Sequence, residues 1–370
     1  MMIGSAPVSE AVFADRFFHV WNAILTDVGG KEEDMPGFLQ LMALLSADVF
    51  AHEKVDVAVY EVHAGGRVDA TNMWDDRTVV CGFNTIGLDH VPLLGNNVAE
   101  IARNKAGIMK PSCRAFSVPQ LPEARGQLEA EAAQLGCPIT FIDPARARIP
   151  SDLAGRTDLQ LPAQRGNLAL SIELANAYLE SRFGGRLSDD DIAETMRAYQ
   201  LPGRMQVVEE PGSQTRWYLD IAHNDISLPV ALDWFISEVR KFDGETSLRP
   251  RRRTRTLIFG QTSKHRDAVN LINAFTRHCR TQDVVFDRII LSAHTNIITG
   301  RPMFAPEYAE RTAHLWKELG PVEISASIDE ALRAAQITDN PDGSHVLVVG
   351  SSHLVSSALR SMQNQETSTA

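Results

Sequence analysis

Hydrophobic and polar positions follow two different spacings along this chain. Between residues 9 and 25, apolar side chains recur every three or four positions, which predicts an amphipathic helix with Ser9 as its N-cap. Residues 55–60 instead form a short, mostly apolar run that ends at Glu61, which is typical of a buried parallel strand. The two patterns then alternate towards the C-terminus. This alternation predicts an α/β protein with parallel sheets.

The same spacings predict the remaining elements. Further strands are predicted at residues 78–81, 114–118, 139–142, 217–219, 256–259, 288–292 and 345–349. Further helices are predicted at residues 36–53, 98–106, 123–135, 167–183, 188–199, 228–242, 268–280, 308–319 and 328–335. The polar residues after Ser361 are predicted to fray.

The length of the chain favours two domains. With 370 residues, each domain is large enough to bury a core of its own. The turn sequence Leu201-Pro-Gly-Arg204 lies where a second strand–helix alternation begins. We therefore predict a hinge there, with a first domain over residues 1–203 and a second over residues 204–370.

Composition excludes several classes of protein. A net charge of -11 argues against broad nucleic-acid binding. The chain contains no apolar run long enough to span a membrane and no signal-peptide pattern at its start, so a cytoplasmic protein is expected. The four cysteines are widely spaced without a Cys-x-x-Cys pair, which indicates buried reduced thiols rather than a zinc site or a disulfide framework.

Polar residues follow the predicted strands at three places. Glu61 ends one strand, residues 84–90 follow the next, and Asp220 ends the first strand of the second predicted domain. Ligands of doubly wound sheets bind outside the carboxyl ends of the strands. We therefore expect these positions to contribute to one site between the domains.

A series of polar and glycine-rich segments strengthens this expectation. In chain order they are Glu61-Val-His-Ala-Gly-Gly-Arg-Val-Asp-Ala-Thr-Asn72, Gly87-Leu-Asp-His90, Ile101-Ala-Arg-Asn-Lys105, Gln164-Arg-Gly-Asn167, Pro202-Gly-Arg204, Asp220-Ile-Ala-His-Asn224 and Val346-Leu-Val-Val-Gly-Ser351. Together they resemble the folylpolyglutamate synthase family, especially its fungal branch, within the Mur-ligase superfamily. The resemblance implies a truncated central domain with a parallel sheet, followed by a C-terminal Rossmann-like α/β domain.

The resemblance also implies roles for individual residues. Glu61 and His90 match Mg²⁺ ligands, and Lys105 matches a lysine that becomes a carbamate. Positions that match the nucleotide and acyl-group contacts of the family are Gln164, Asn167, Arg204, Asp220, His223 and Asn224. Each also has a structural interpretation: Glu61 could cap a helix, His90 could be a loop histidine, and Lys105 could lie on a helix surface.

One feature of such ligases is missing from these residues. The phosphate-binding loop Gly-x-x-x-x-Gly-Lys-Ser/Thr does not occur, because the single Gly-Lys pair, Gly30-Lys31, is followed by Glu32. His63, Ala163 and Ile221 also replace residues of the family pattern. A family chain without this loop also lacks a strand of its sheet, so we predict either a rearranged first domain or a homodimer that covers the exposed edge.

Three hypotheses about function follow. The leading one is an enzyme that acts without ATP or any other cofactor on a small organic molecule, by isomerisation, cyclisation or a pericyclic reaction, plausibly in secondary metabolism. Its acid/base residues would be Glu61, His63, His90, Lys105 and His223. The second is an ATP-dependent amide ligase that adds glutamate to folate, with the phosphate loop missing or supplied in trans. The third is a non-catalytic regulatory paralogue.

Overall fold

The computed structural model describes all residues except 76, 112, 210–212, 247–252, 262–267, 297–299, 302, 304–305, 337–339 and 370. It divides into two compact units, Met1–Phe141 and Ile142–Ala370. The predicted domain division after residue 203 differs from this packing division, and it stays a prediction. None of the described helices is long and apolar enough to cross a membrane.

The first unit begins with a small hairpin and two helices. Its elements are β1 (Met2–Ile3), β2 (Ala6–Pro7), α1 (Glu10–Asp27), α2 (Phe38–His52), β3 (Val80–Phe83), α3 (Val91–Leu94), α4 (Val98–Ala106), β4 (Arg114–Ser117), α5 (Pro122–Leu135) and β5 (Ile139–Phe141). The predicted N-cap is confirmed, because the Ser9 hydroxyl oxygen accepts the N–H of Val12 at 3.3 Å.

A parallel sheet organises the core of this unit. The strand order is β3-β4-β5, with Cys81 paired to Ala115 and Ala115 paired to Ile139. Helices α4 and α5 cover the sheet and bury Ile101 and Leu128 completely. The predicted α/β architecture with parallel strands is confirmed here.

The strand predicted at residues 55–60 is wrong. This segment has no regular secondary structure and belongs to no described sheet. Val57 is 48% exposed and Val59 is 87% exposed, although a buried strand would hide both side chains. The physical reason is that a strand is stable only when a neighbour pairs with its backbone, and no described strand lies beside this segment.

The second unit contains a larger sheet. Its elements are α6 (Thr157–Gln160), α7 (Pro162–Phe183), α8 (Asp189–Ala198), β6 (Gln206–Glu209), β7 (Thr215–Leu219), α9 (Ser227–Thr246), β8 (Thr254–Phe259), α10 (Ala268–Thr281), β9 (Arg288–Ser292), α11 (Pro306–Trp316), β10 (Val322–Ser325), α12 (Ile328–Gln336), β11 (Ser344–Val349) and α13 (Ser352–Thr369). The sheet order is β10-β9-β8-β11-β7-β6. Five strands are parallel, and β6 pairs antiparallel with β7 at the edge.

Helices bury both faces of this sheet. One face packs against α9 and α10 around Trp234 and Phe275, and the other packs against α12 and α13. The predicted fraying after Ser361 is not observed, because α13 continues to Thr369. Burial of Ala358 and Met362 against the sheet extends the helix beyond the point where the polar sequence predicts its end.

Candidate active site

The loop between residues 63 and 72 of the first unit is built around Asp69. One carboxylate oxygen accepts the N–H of Ala64 at 2.8 Å, and the other accepts the N–H and hydroxyl of Thr71 at 2.9 and 2.7 Å. Burial disfavours the charged carboxylate, but these hydrogen bonds outweigh it and lower the pKa of Asp69. His63 Nδ1 lies 3.5 Å from the same carboxylate, so a predicted site residue stands beside a persistent negative charge.

Two glycines bring this loop against helix α4. A Cβ on Gly65 would lie 2.6 Å from Asn104 Oδ1, and a Cβ on Gly66 would lie 2.5 Å from the backbone oxygen of Lys105. The glycines therefore allow the loop to lie directly on the end of α4. Among the described residues, Asn104 Oδ1 is buried without a hydrogen-bond partner, which is the state of an atom that a ligand or cation satisfies.

Lys105 is influenced by the charges of two carboxylates, those of Asp89 and Asp69. Burial lowers its pKa, and the carboxylates of Asp89 and Asp69 oppose that effect. Lys105 is partly buried rather than fully exposed on the helix surface, and the role that the resemblance implies for it stays a prediction. A lysine with a lowered pKa is neutral more often, and neutral amines are the reactive form.

The turn that carries His90 has unusual backbone geometry. His90 has a φ of +52°, in the left-handed region, and begins the four-residue helix α3. Its N–H donates to Asp89 Oδ1 at 2.9 Å, which holds this turn in place. A non-glycine residue in this conformation costs free energy and is more frequent at functional sites.

Glu61 is exposed and borders a groove in the first unit. The groove has a volume of about 890 Å³, and its lining includes Phe13, Tyr60, His63 and Thr71. Within the described residues, no group of three histidine, cysteine, aspartate or glutamate side chains is arranged to hold a metal ion. The assignment of Glu61 and His90 as Mg²⁺ ligands therefore stays a prediction.

In the second unit Asp220 is a buried carboxylate at the end of β7. Its two oxygens accept the N–H groups of Met205 and Ala222 at 2.9 and 2.8 Å, and Arg204 Nη1 lies 3.7 Å away. Burial raises the pKa of Asp220, although Arg204 and the two N–H groups act in the opposite direction. The structure thus brings Arg204 and Asp220 together, as the sequence indicated.

The turn over residues 203–205 connects this pair to α7. Gly203 and Met205 have φ values of +73° and +44°. Gln164 Nε2 lies 3.6 Å from the sulfur of Met205, and Gln164 Oε1 accepts from Asn167 at 3.4 Å. Four of the predicted nucleotide-contact residues therefore belong to one connected group in this unit.

His223 and Asn224 follow Asp220 and have different local roles. His223 Nδ1 lies 2.7 Å from the carbonyl oxygen of Ile221. A carbonyl only accepts hydrogen bonds, so Nδ1 carries the proton and Nε2 is the basic atom of the neutral ring. Asn224 Oδ1 accepts the N–H and the hydroxyl of Ser227, both at 2.8 Å, and so caps α9.

Sequence reasoning missed a polar group at the carboxyl ends of β8, β9 and β11. His294 Nε2 lies 3.2 Å from the Ser351 hydroxyl, and burial lowers the pKa of His294 to about 4. The side-chain amide of Gln261 is buried and has no hydrogen-bond partner in the described part of the chain. The sequence contained a signal for this group, because Gln261, His294 and Ser351 each come two positions after a predicted strand.

The chain has an α/β fold with parallel sheets, and this fold occurs in solved structures of FolC and FPGS proteins. Solved structures with this fold include E. coli FolC in complex with DHPP and ADP, with a TM-score of 0.71 and 21% identity over 97% of this chain and 77% of that one. The apo form of L. casei FPGS has a TM-score of 0.68 and 22% identity, over 98% of this chain and 79% of that one. At these identities the similarity establishes the fold.

Sequence comparison identifies the family. A folylpolyglutamate synthase of Neurospora crassa is 32% identical over 96% of this chain and 71% of its own length. One of Candida albicans is 29% identical over 98% of this chain and 77% of its own length. No protein-family model matches the chain. The chain belongs to the folylpolyglutamate synthase family of enzymes.

Two predictions are corrected by these comparisons. The leading hypothesis, an ATP-independent isomerase or cyclase, is wrong, because relatives that match nearly the whole chain are named as synthases of folylpolyglutamate. The prediction that no cofactor is needed is wrong for a related reason. The E. coli protein of this fold is in complex with ADP, and one from Yersinia pestis is complexed with AMPPNP and a Mn ion.

Proposed function

We propose that this chain provides the catalytic and nucleotide-facing residues of an ATP-dependent amide ligase that adds glutamate to folate. The observation that carries the proposal is the 32% identity to a folylpolyglutamate synthase over 96% of the chain. In such a reaction ATP activates a carboxylate as an acyl phosphate, the glutamate amine displaces the phosphate, and ADP and phosphate leave. The products are the amide, ADP and inorganic phosphate.

The residues around Lys105 have the chemistry to bind the metal ion and the amino-acid substrate of this reaction. Oxygen donors and an imidazole are suitable ligands for a Mg²⁺ ion beside phosphates, and Glu61 and His90 are proposed for this role. The buried and unpartnered Asn104 Oδ1 supports a cation or polar ligand near the end of α4. Bound Mg²⁺ would neutralise developing phosphate charge.

We propose that Lys105 itself is converted to a carbamate. Carbon dioxide adds to a neutral amine, and the lowered pKa of Lys105 favours that form. The resulting anion would hold the metal or the incoming amine. Carbon-13 NMR with labelled bicarbonate tests this directly, since a carbamate signal should be present in the wild type and absent in Lys105→Arg.

The second unit contributes the proposed nucleotide contacts. Arg204, Gln164 and Asn167 would hold the nucleotide, with Asp220 fixing the Arg204 turn. His223 has Nε2 as its basic atom, and we propose that this nitrogen accepts a proton from the attacking amine. Asn224 would act indirectly, by capping α9 and holding the loop that carries His223.

We propose that a second polypeptide supplies the phosphate cradle of this ligase in trans, because these 370 residues contain no Gly-x-x-x-x-Gly-Lys-Ser/Thr loop. The exposed apolar residues of the segment 55–60, which belongs to no described sheet, support this proposal as a surface against which an added strand could pack.

The decisive experiment is a ligase assay with and without added phosphate-binding polypeptide. The chain is incubated with MgATP, glutamate and folate, alone or with the part of the Neurospora crassa relative that lies outside the matched region. Glutamylated folate and ADP, measured by mass spectrometry, should form only in the second mixture. Lys105→Ala should abolish the product, whereas the exposed Lys31→Ala should not.

Two results would contradict the proposal. One is a complex that forms and binds MgATP in calorimetry but makes no glutamylated folate. The other is product formation that is unaffected by Lys105→Ala. Either outcome would show that this chain does not carry out the proposed ligase reaction in the way described.

Three coarser properties complete the proposal. We propose a homodimer that covers the free strand edges of the first unit, and a functional boundary at the strained turn over residues 203–205. Limited proteolysis that cuts first near this turn would support the boundary. We also propose a cytoplasmic location. Cell fractionation tests this proposal, and the test is needed because the relatives from Cricetulus griseus and Bos taurus are named as mitochondrial.

A further inference from the structure

Three of the four cysteines converge in the core of the first unit. Cys81 lies in β3, Cys113 immediately precedes β4, and Cys137 lies two residues before β5. All three are at least 93% buried, with exposures of 7%, 1% and 2%. The sequence predicted buried thiols, and their burial is observed, but the separation of 24 and 32 positions did not reveal this contact.

The register of the sheet brings the sulfur atoms into contact. Ala115 and Ile139 are paired across β4 and β5, so Cys113 and Cys137 lie opposite each other two positions earlier. Their sulfur atoms are 3.3 Å apart, and the Cys81 sulfur is 3.7 Å from that of Cys113. Neighbouring strands lie about 4.8 Å apart, which is within the Cα separation that a disulfide requires.

A metal ion does not account for the close pair. Sulfur ligands about 2.3 Å from a tetrahedral zinc ion are roughly 3.8 Å from each other, and the Cys113–Cys137 distance is shorter than that. The described residues also contain no group arranged as a metal site. The contact is instead the arrangement of two thiols that have to move little to form a covalent bond.

We propose that Cys113 and Cys137 are an oxidation site that a hydroperoxide converts to a disulfide, with Cys81 as the neighbouring third thiol. The Cys113 sulfur attacks the peroxide oxygen, which gives a sulfenic acid and releases an alcohol, or water in the case of hydrogen peroxide. The Cys137 sulfur then attacks the sulfenic sulfur and releases water. In sum, two thiols and one hydroperoxide give one disulfide, one alcohol or water molecule, and one water molecule.

The surroundings of Cys113 make it the attacking thiol. The hydrogen bond between the Cys81 and Cys113 sulfurs, with the Lys110 N–H at 3.2 Å, lowers the pKa of Cys113 against the effect of burial. By contrast, burial raises the pKa of Cys279, in α10 of the second unit, to about 12. Cys279 is therefore a matched thiol whose pKa shifts in the opposite direction.

Oxidation of Cys113 and Cys137 would alter hydrogen bonds that extend towards Lys105. Lys110, whose N–H bonds to the Cys113 sulfur, also donates through Nζ to Asn72 Oδ1 at 2.8 Å. Asn72 in turn donates to the carbonyl oxygen of Gly107 at 3.1 Å, just beyond α4. A disulfide changes the sulfur that accepts the Lys110 N–H at one end of this chain of hydrogen bonds.

The test is thiol mapping of the native full chain after treatment with hydrogen peroxide. The protein is oxidised, blocked with N-ethylmaleimide in denaturant and digested, and the peptides are analysed by mass spectrometry with and without reduction. We expect two thiols per chain to be lost and one disulfide to appear between Cys113 and Cys137. Cys279 should stay alkylated.

Matched variants and the unfolded chain make the test decisive. Cys113→Ser should retain its remaining thiols after peroxide, whereas Cys279→Ser should still form the disulfide. Cys137→Ser should divert the reaction to a Cys81–Cys113 disulfide or to a sulfenic acid trapped by dimedone. The proposal is overturned if the native wild type retains all four thiols, or if oxidation is equally fast and unselective in urea. This readout requires no ligase activity, so its failure would not affect the proposed function.

Discussion

At the scale of single residues, burial controls the ionisation of the polar groups at the strand ends. Asp220 is 3% exposed, yet it accepts two backbone N–H groups and lies near Arg204. His294 and His345 are 4% and 0% exposed, and burial is the largest cause of their lowered pKa values. Such groups are stable only because specific neighbours satisfy them.

Replacing Asp220 by asparagine should destabilise the second unit. An amide has one accepting oxygen, so its NH₂ group would face the N–H of Met205 or of Ala222 and leave one of them unpaired. We expect a loss of about 1–3 kcal/mol in the free energy of unfolding, measured by urea denaturation. Asp152→Asn, which alters an exposed ion pair with Arg197, is the control and should change the stability little. Equal effects of the two variants would contradict this account of Asp220.

The two buried histidines predict a loss of stability at acid pH. Their pKa values in the folded chain are about 4, whereas an unfolded histidine titrates near 6.5. Between these values the unfolded chain binds more protons, so the free energy of unfolding decreases as pH falls from about 6.5 to 4. The loss per histidine is on the order of 3 kcal/mol. Urea denaturation at several pH values, with His345→Gln for comparison, should show a shallower acid-side slope in the variant. An unchanged slope would count against the role of His345.

At the scale of elements, contact between backbones decides where the site loops lie. Gly66 approaches the carbonyl oxygen of Lys105 so closely that no side chain fits between them. Gly126, in the middle of α5, has no atom within 4 Å of the position that a Cβ would occupy. The two glycines therefore have opposite expected responses to the same substitution.

Gly66→Ala should destabilise the first unit, whereas Gly126→Ala should stabilise it. The new methyl group at residue 66 would lie 2.5 Å from backbone that cannot move without shifting α4, and we expect a cost of about 1–3 kcal/mol. Alanine in the helix at residue 126 should add about 0.5–1 kcal/mol. Chemical denaturation of both variants measures the difference. A stable Gly66→Ala protein would show that the loop does not lie on α4 as described.

Most elements were predictable because their patterns are local. The helix at residues 98–106 and the strand at residues 288–292 agree with the structure at both ends. Strand β10 was missed, because its residues 323 and 324 are exposed at the sheet edge and carry no buried-strand pattern. Residues 55–60 show the opposite failure, since a strongly apolar run requires a pairing partner that sequence spacing cannot supply.

At the scale of the whole molecule, the proposed dimer depends on residues 55–60 of the first unit, which belong to no described sheet. Val59 is 87% exposed in this segment, beside a groove of about 890 Å³. Exposed apolar segments without a sheet neighbour are sites where strands of another chain associate. Val68 is 73% exposed in a different loop, where it is not part of an apolar segment such as residues 55–60.

Val59→Lys should therefore weaken self-association, and Val68→Lys should not. A lysine at residue 59 adds charge where a second copy would pack, which is how natural proteins protect strand edges. Sedimentation velocity over a range of concentrations measures the change. If both variants associate like the wild type, or if the wild type is monomeric at every concentration, the proposed homodimer is wrong.

The sequence by itself determined the α/β class, most helices and strands, and the family resemblance, because apolar spacing and short motifs are local properties of the chain. It also placed Arg204, Asp220 and His223 at strand ends or turns. Only the tertiary structure decided that Lys105 is partly buried near two carboxylates, that three distant cysteines touch, and that residues 55–60 belong to no described sheet. These properties depend on which segments become neighbours in space, and burial and pairing with such neighbours set the charge, reactivity and exposure of each residue.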